Sequence, residues 1–146
     1  MRYIVLVCAL FAVGCHSSSN TNPAPVVTST STIGYYYGSM DVSGGTFWTV
    51  VVSTPGTFAV TLESVTPGTT IGTTNPPLQT VMGLAIGVGS SDGTTCTVDP
   101  TTIKNTGPGF TSQLTAQAVA GASCVQLVDV GNLTGPVSFI VRIVHT

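Results

Sequence analysis

From residue 35 onward, short apolar runs alternate with clusters of Gly, Pro, Ser and Asp, and the period within several runs is two. That is the pattern of strands joined by turns. Thr46 to Val52 (TFWTVVV) is bounded by Ser43-Gly44-Gly45 and Pro55-Gly56 and predicts a strand. Phe58, Val60 and Leu62 alternate with Thr61 and Glu63, so the first set is expected inward and the second outward. Pro67-Gly68 ends that element. Val81 to Val88 predicts a strand with Leu84, Ile86 and Val88 on one face and glycines interleaved. Ser91-Asp92-Gly93 reads as a hairpin turn leading to a short strand that carries Cys96.

Residues 99–109 read as a loop and Phe110 to Val119 as an alternating strand. Ala120-Gly121 reads as a turn, Ser123 to Val130 as a strand carrying Cys124, and Val137 to Val144 as the last strand. The sum is about seven to eight strands, the number in a small antiparallel β-sandwich of jelly-roll or immunoglobulin-like type.

The first residues have a different grammar. Arg2 is followed by an apolar run, Ile4 to Val13, and then by Gly14-Cys15. The run has the length of a signal-peptide core and is too short to span a bilayer. Ala12-Val13-Gly14-Cys15 resembles a bacterial lipobox, in which the cysteine is acylated and becomes the first mature residue. The expected organisation is a lipoprotein signal peptide at 1–14, a lipidated Cys15 with a Ser/Thr/Pro-rich tether at 15–34, and a β-sandwich at 35–146. Ordinary signal cleavage near Gly14 is the competing reading. Acyl chains on Cys15 would give stable attachment to a membrane. His16 stands where an inner-membrane retention Asp would be, so an outer-membrane address is expected.

Composition removes several function classes. Charged residues are 5% of the chain, against roughly 25% in ordinary domains. Beyond the leader, Lys104 and Arg142 are the only Lys or Arg. Two cations cannot make a nucleic-acid footprint, so no nucleic-acid partner is expected. Thr, Val, Gly and Ser favour strands and turns over helices. Cys8 falls in the leader and Cys15 takes the lipid, which leaves Cys96 and Cys124. In an exported chain these are expected to form a disulfide. A metal or catalytic pair is the alternative, and it lacks supporting His or acidic neighbours.

Three segments together carry a family resemblance: FWTVVVSTPGTFAVTLESVTP, VMGLAIGVGSSDGTTCTV and SCVQLVDVGNLTGPVSFIVRIVH. They resemble the bacterial pre-peptidase C-terminal domain, particularly its small secreted or lipoprotein relatives. Cys124, Val125, Leu127, Asp129, Gly131 and Asn132 occupy its Cys-Val-x-Val-x-Asp-x-Gly-Asn segment. The resemblance spans about residues 45–146. It implies a β-sandwich that aids secretion, substrate binding or adhesion, usually as an appendage to a protease. None of the 146 residues reads as part of a protease domain. Calcium sites of some relatives need clustered acids, and the five acids here are scattered.

Few residues could carry chemistry. His16 lies in the tether and His145 next to the last residue, so the many hydroxyls have no evident base. Glu63 stands alone, on a face expected to be solvated, and does not make the carboxylate pair of a glycosidase. Asp129, beside Gly131-Asn132, is expected to fix a turn by accepting backbone N–H bonds, with calcium ligation as the alternative. Trp48, within a β-branched run, is expected in the core. Tyr35, Tyr36 and Tyr37 are the partner-binding candidates. Alternation forbids all three from facing the core, and an exposed aromatic ring can stack on a sugar or anchor a partner.

The expected function is therefore a non-catalytic, membrane-anchored envelope lipoprotein whose sandwich binds a glycan or protein, without a cofactor. An accessory subunit aiding a secreted hydrolase is the first alternative, and an enzyme the second.

Overall fold

The computed structural model describes residues 31–70 and 77–146. Cys15, the leader and nearly all of the tether lie outside them. The described residues form nine strands: β1 (Thr32–Met40), β2 (Gly45–Val52), β3 (Gly56–Pro67), β4 (Met82–Gly89), β5 (Cys96–Thr97), β6 (Lys104–Thr106), β7 (Leu114–Ala118), β8 (Gly121–Asp129) and β9 (Val137–His145). All pairings are antiparallel. One sheet runs β1-β9-β3-β7 and the other β2-β8-β4-β5, with β6 also on β4. Successive strands thus alternate between sheets at both ends of the chain. That is a jelly-roll order, and it decides between the two sandwich types expected.

The core lies between the sheets. Phe58, Val60, Leu62 and Val65 of β3 meet Met82 and Leu84 of β4 and Val125 and Leu127 of β8 there, with Val137, Phe139, Val141 and Ile143 of β9. Trp48 packs against this cluster as expected. Its ring centroid is 5.5 Å from Phe139 in an edge contact and 5.6 Å from Tyr36. Such offset and edge arrangements suit the aromatic quadrupole.

The period-two pattern of β3 slips once. Leu62 pairs with Val141 and Ser64 with Ile140, so Glu63 is an extra residue in a β-bulge. The bulge turns the inward set from even to odd positions, which brings Val65 into the core.

Several boundaries differ from the sequence reading. β1 starts at Thr32, so residues 32–34 belong to the sandwich and not to the tether. The segment 99–109, read as loop, contains a 3₁₀ turn at Pro100–Thr102 and strand β6. The strand expected from Phe110 begins only at Leu114. Before it, Gly109 and Gln113 donate backbone N–H groups to Leu62 and Val60 of β3. Gly121, read as turn, opens β8 with φ +132°. Thr61 does face outward, yet it is buried, because Arg142 and Ser112 close over it. Val88 follows Leu84 and Ile86 on their face but is 71% exposed, since the core ends before it.

The interleaved glycines of β4 have a steric cause. A Cβ at Gly87 would run into the backbone of Thr97 and the side chain of Val98, where the chain returns over β4. The same return brings Cys96 to Cys124, and the disulfide forms as expected, with Cα atoms 5.8 Å apart.

Candidate functional site

Alternation along β1 sorts the three tyrosines. Tyr36 points inward and packs on the core against Trp48. Tyr35 and Tyr37 point outward and are 51% and 54% exposed. Tyr36 is therefore withdrawn from the candidate surface, while its two neighbours stay on it. Ile33, on the same face, is also exposed.

The strand register places further residues beside them. Tyr35 pairs with Arg142 of β9, which pairs with Thr61 of β3; Tyr37 pairs with Ile140 and Ile33 with Val144. Arg142 Nε donates to Glu63 Oε1 at 2.6 Å. Its Nη2 donates to Thr61 Oγ1 and to the Phe110 carbonyl oxygen, each at 3.3 Å. The Phe110 side chain itself is 88% exposed. The outer face of the four-stranded sheet thus carries exposed Tyr35, Tyr37 and Ile33 around a fixed ion pair, with Phe110 on the flanking loop. Rings of this kind offer flat apolar area, and the ion pair offers directional polar groups.

Sequence reasoning missed Arg142, Glu63 and Phe110 as parts of this face. Register was the missing information. Parity does put Glu63 and Arg142 on outward positions, but that β9 lies beside β3, with Arg142 opposite Thr61 and Glu63 in a bulge, is not readable from the strand alone.

Asp129 fixes turns, and more of them than expected. Its Oδ1 accepts from the N–H groups of Gly131, Asn132 and Leu133, and its Oδ2 from Ser43 N–H at 2.8 Å. The β8–β9 connection is thereby tied to the β1–β2 turn. The Ser43 bond is the largest influence holding the carboxyl below its ordinary value; partial desolvation opposes it, and the N–H groups of Asn132, Leu133 and Gly131 add to the lowering. Donors converging on both oxygens are the surroundings of a structural anion rather than of a calcium ligand. Among the described residues no three His, Cys, Asp or Glu side chains cluster as a metal site.

His145 Nε2 is buried without a hydrogen-bond partner, and its ring lies 6.1 Å from that of Phe58. A separate cleft of about 390 Å³ opens where β7 approaches β4, lined by Phe58, Ile86, Val88, Leu114 and Ala118 with few polar groups.

In sequence comparisons, no family model matches this chain and no curated protein does either.

Proposed function

We propose that the protein is an exported, lipid-anchored, non-catalytic binding module of the bacterial envelope. Its binding surface is the outer face of the four-stranded sheet, and its ligand is a glycan of the envelope. One observation carries the reading: Tyr35 and Tyr37 spend two large aromatic side chains on solvent beside the Arg142–Glu63 pair. A sugar ring stacked on a tyrosine would leave its hydroxyls free to meet polar groups at the rim. Attachment through Cys15 would hold this face near the membrane surface, with His16 favouring the outer membrane.

Binding of the full-length protein to isolated peptidoglycan and to envelope polysaccharide tests the surface. Replacing Tyr35 and Tyr37 together with Ala is expected to abolish retention, while Val119→Ala, in the β7–β8 connection at the edge opposite β1, leaves it intact. Equal retention of all three proteins would remove the face from consideration. Mass spectrometry of the mature amino terminus tests the anchor: a diacylated or triacylated Cys15 is expected, and an unmodified residue there refutes it.

The resemblance to pre-peptidase C-terminal domains favours a second reading, an accessory subunit for a secreted hydrolase. Under that reading the protein would co-purify with a hydrolase from intact envelopes, and loss of the protein would lower the secreted activity.

A further inference from the structure

The two sides of the sandwich end differently. On one side the sheets finish in β7, of five residues, and β5, of two. Short edge strands of this kind offer little to another chain. On the other side they finish in β1, of nine residues, and β2, of eight. Neither β1 nor β2 contains a charged residue or a proline, and both pair with their inner neighbours without a register shift. The common protections of an edge, namely charge, proline, bulge and brevity, are all missing there. Among the described residues, no turn or loop backbone group bonds to either strand.

We propose that β1 is a dimerisation edge, on which β1 of a second copy pairs antiparallel about a two-fold axis at Tyr36. The sequence of β1 selects the partner and the register. Gly34-Tyr35-Tyr36-Tyr37-Gly38 reads the same in both directions. Antiparallel pairing centred on Tyr36 sets Tyr35 of each copy opposite Tyr37 of the other, and Gly34 opposite Gly38. Opposed aromatic side chains on one face are a favourable cross-strand pair. Sliding the register by one pair would put glycine opposite tyrosine, and an odd shift would reverse the faces.

The second sheet fits the same axis. The rings of Tyr36 and Trp48 lie 5.6 Å apart across the core. The axis runs normal to the sheet midway between the two copies of Tyr36, and the nearness of the Tyr36 and Trp48 rings puts the middle of β2 close to it. A closed two-fold contact of this kind is self-complementary and does not propagate into fibres. Nine paired residues would supply about eight to ten main-chain hydrogen bonds, comparable to the ~10 of a specific interface. No like charges meet, because neither strand carries any. The inference stands apart from the glycan reading, since it rests on the backbone edge and not on a ligand.

Light-scattering mass of the full-length protein in detergent gives the test, over a hundredfold range of concentration. The unsubstituted protein is expected to hold two copies per particle. Y35K/Y37K sets lysine against lysine across the axis twice, and is expected to give single copies. Y35K/Y37E sets lysine against glutamate twice, and is expected to restore two. Both side chains are exposed, so circular dichroism should report an unchanged fold. Cross-linking in membranes gives a second reading if either variant fails to fold. Differently tagged Y35C and Y37C chains, expressed together, should link to each other more than to themselves. A single-copy parent protein, a Y35K/Y37K variant that still pairs, a Y35K/Y37E variant that does not, or links without this preference would each overturn the proposal.

Discussion

Arg142 Nε donates to Glu63 Oε1 at 2.6 Å, and the glutamate is the extra residue of the β3 bulge. The two side chains are 22% and 24% exposed. Their environment lies between a solvated pair, worth about 0–1 kcal/mol, and a buried one, whose breakage costs about 3–5 kcal/mol. Arg142→Met is therefore expected to cost about 1–3 kcal/mol, because it leaves the carboxylate half-buried beside an apolar chain. Adding Glu63→Gln should recover part of that loss. Urea denaturation of both single variants and the double variant measures the coupling. A double variant as unstable as the sum of the singles would show that the pair has no cooperative role.

The disulfide gives a second prediction. Cys96 and Cys124 are 28 residues apart in sequence and join β5 to β8 across β4. Closing a loop of this size in the unfolded chain stabilises the fold by about 3–4 kcal/mol in the chain-entropy model. Reduction, or replacement of both cysteines by serine, should lower stability by that order while leaving the strand content unchanged. Denaturant midpoints with and without a reductant provide the measurement, and coincident midpoints would contradict the estimate.

Three aspartates make stability depend on acid pH. Asp129 is held below its ordinary value chiefly by Ser43 N–H. Asp99 is lowered by the Thr101 hydroxyl and then by its N–H. Asp92 is lowered from 3.8 to about 2 by the Ser90 hydroxyl, with the Thr94 N–H and hydroxyl following. A lowered folded value means that the carboxylate stabilises the fold above pH 3.8. That contribution is lost as pH falls below the ordinary value and through the lowered one. Thermal melting should thus deteriorate below about pH 4. Asp129→Asn should melt lower than the parent at pH 7, with a gap that narrows towards pH 2. A gap constant with pH would assign the effect to shape rather than to charge.

The sandwich was legible in the sequence because its strands are bounded by strong turn residues and its inward positions keep a period of two. Phe58, Val60, Leu62 and Trp48 could be assigned to the core on that ground, and each packs there. The cysteine pairing followed from counting. Parity alone could not reveal the bulge at Glu63, since a glutamate between Leu62 and Ser64 is an ordinary outward residue until the partner strand is known. Thr61 faces outward as its parity requires, but parity could not show that it is buried there: its cover comes from Arg142 and Ser112, 81 and 51 residues away. Phe110 looked like the start of a strand because it begins an alternating stretch. In fact Gly109 and Gln113 already satisfy carbonyls on the edge of β3, and β7 pairs with that edge only from Leu114. Propensity therefore found the elements, and long-range register decided the face.

The same parity gives a prediction for β1. Tyr36 and Gly38 are inward, whereas Tyr35 and Ser39 are outward and exposed. Tyr36→Ala removes a ring that rests on Trp48, at a half-buried position, and should cost on the order of 2 kcal/mol, less than a fully buried aromatic. Gly38→Ala would bring a methyl group to 2.6 Å from Phe139 Cζ. The Phe139 ring is 1% exposed and has little room to yield, so a cost of about 1–3 kcal/mol is expected from overpacking. Tyr35→Ala and Ser39→Ala lose only outward surface and should each cost less than about 1 kcal/mol. Chemical denaturation at high dilution, where association contributes least, separates the two classes. If Tyr35→Ala proved more damaging than Tyr36→Ala, β1 would be facing the other way, and both the binding face and the dimer register would have to be reassigned.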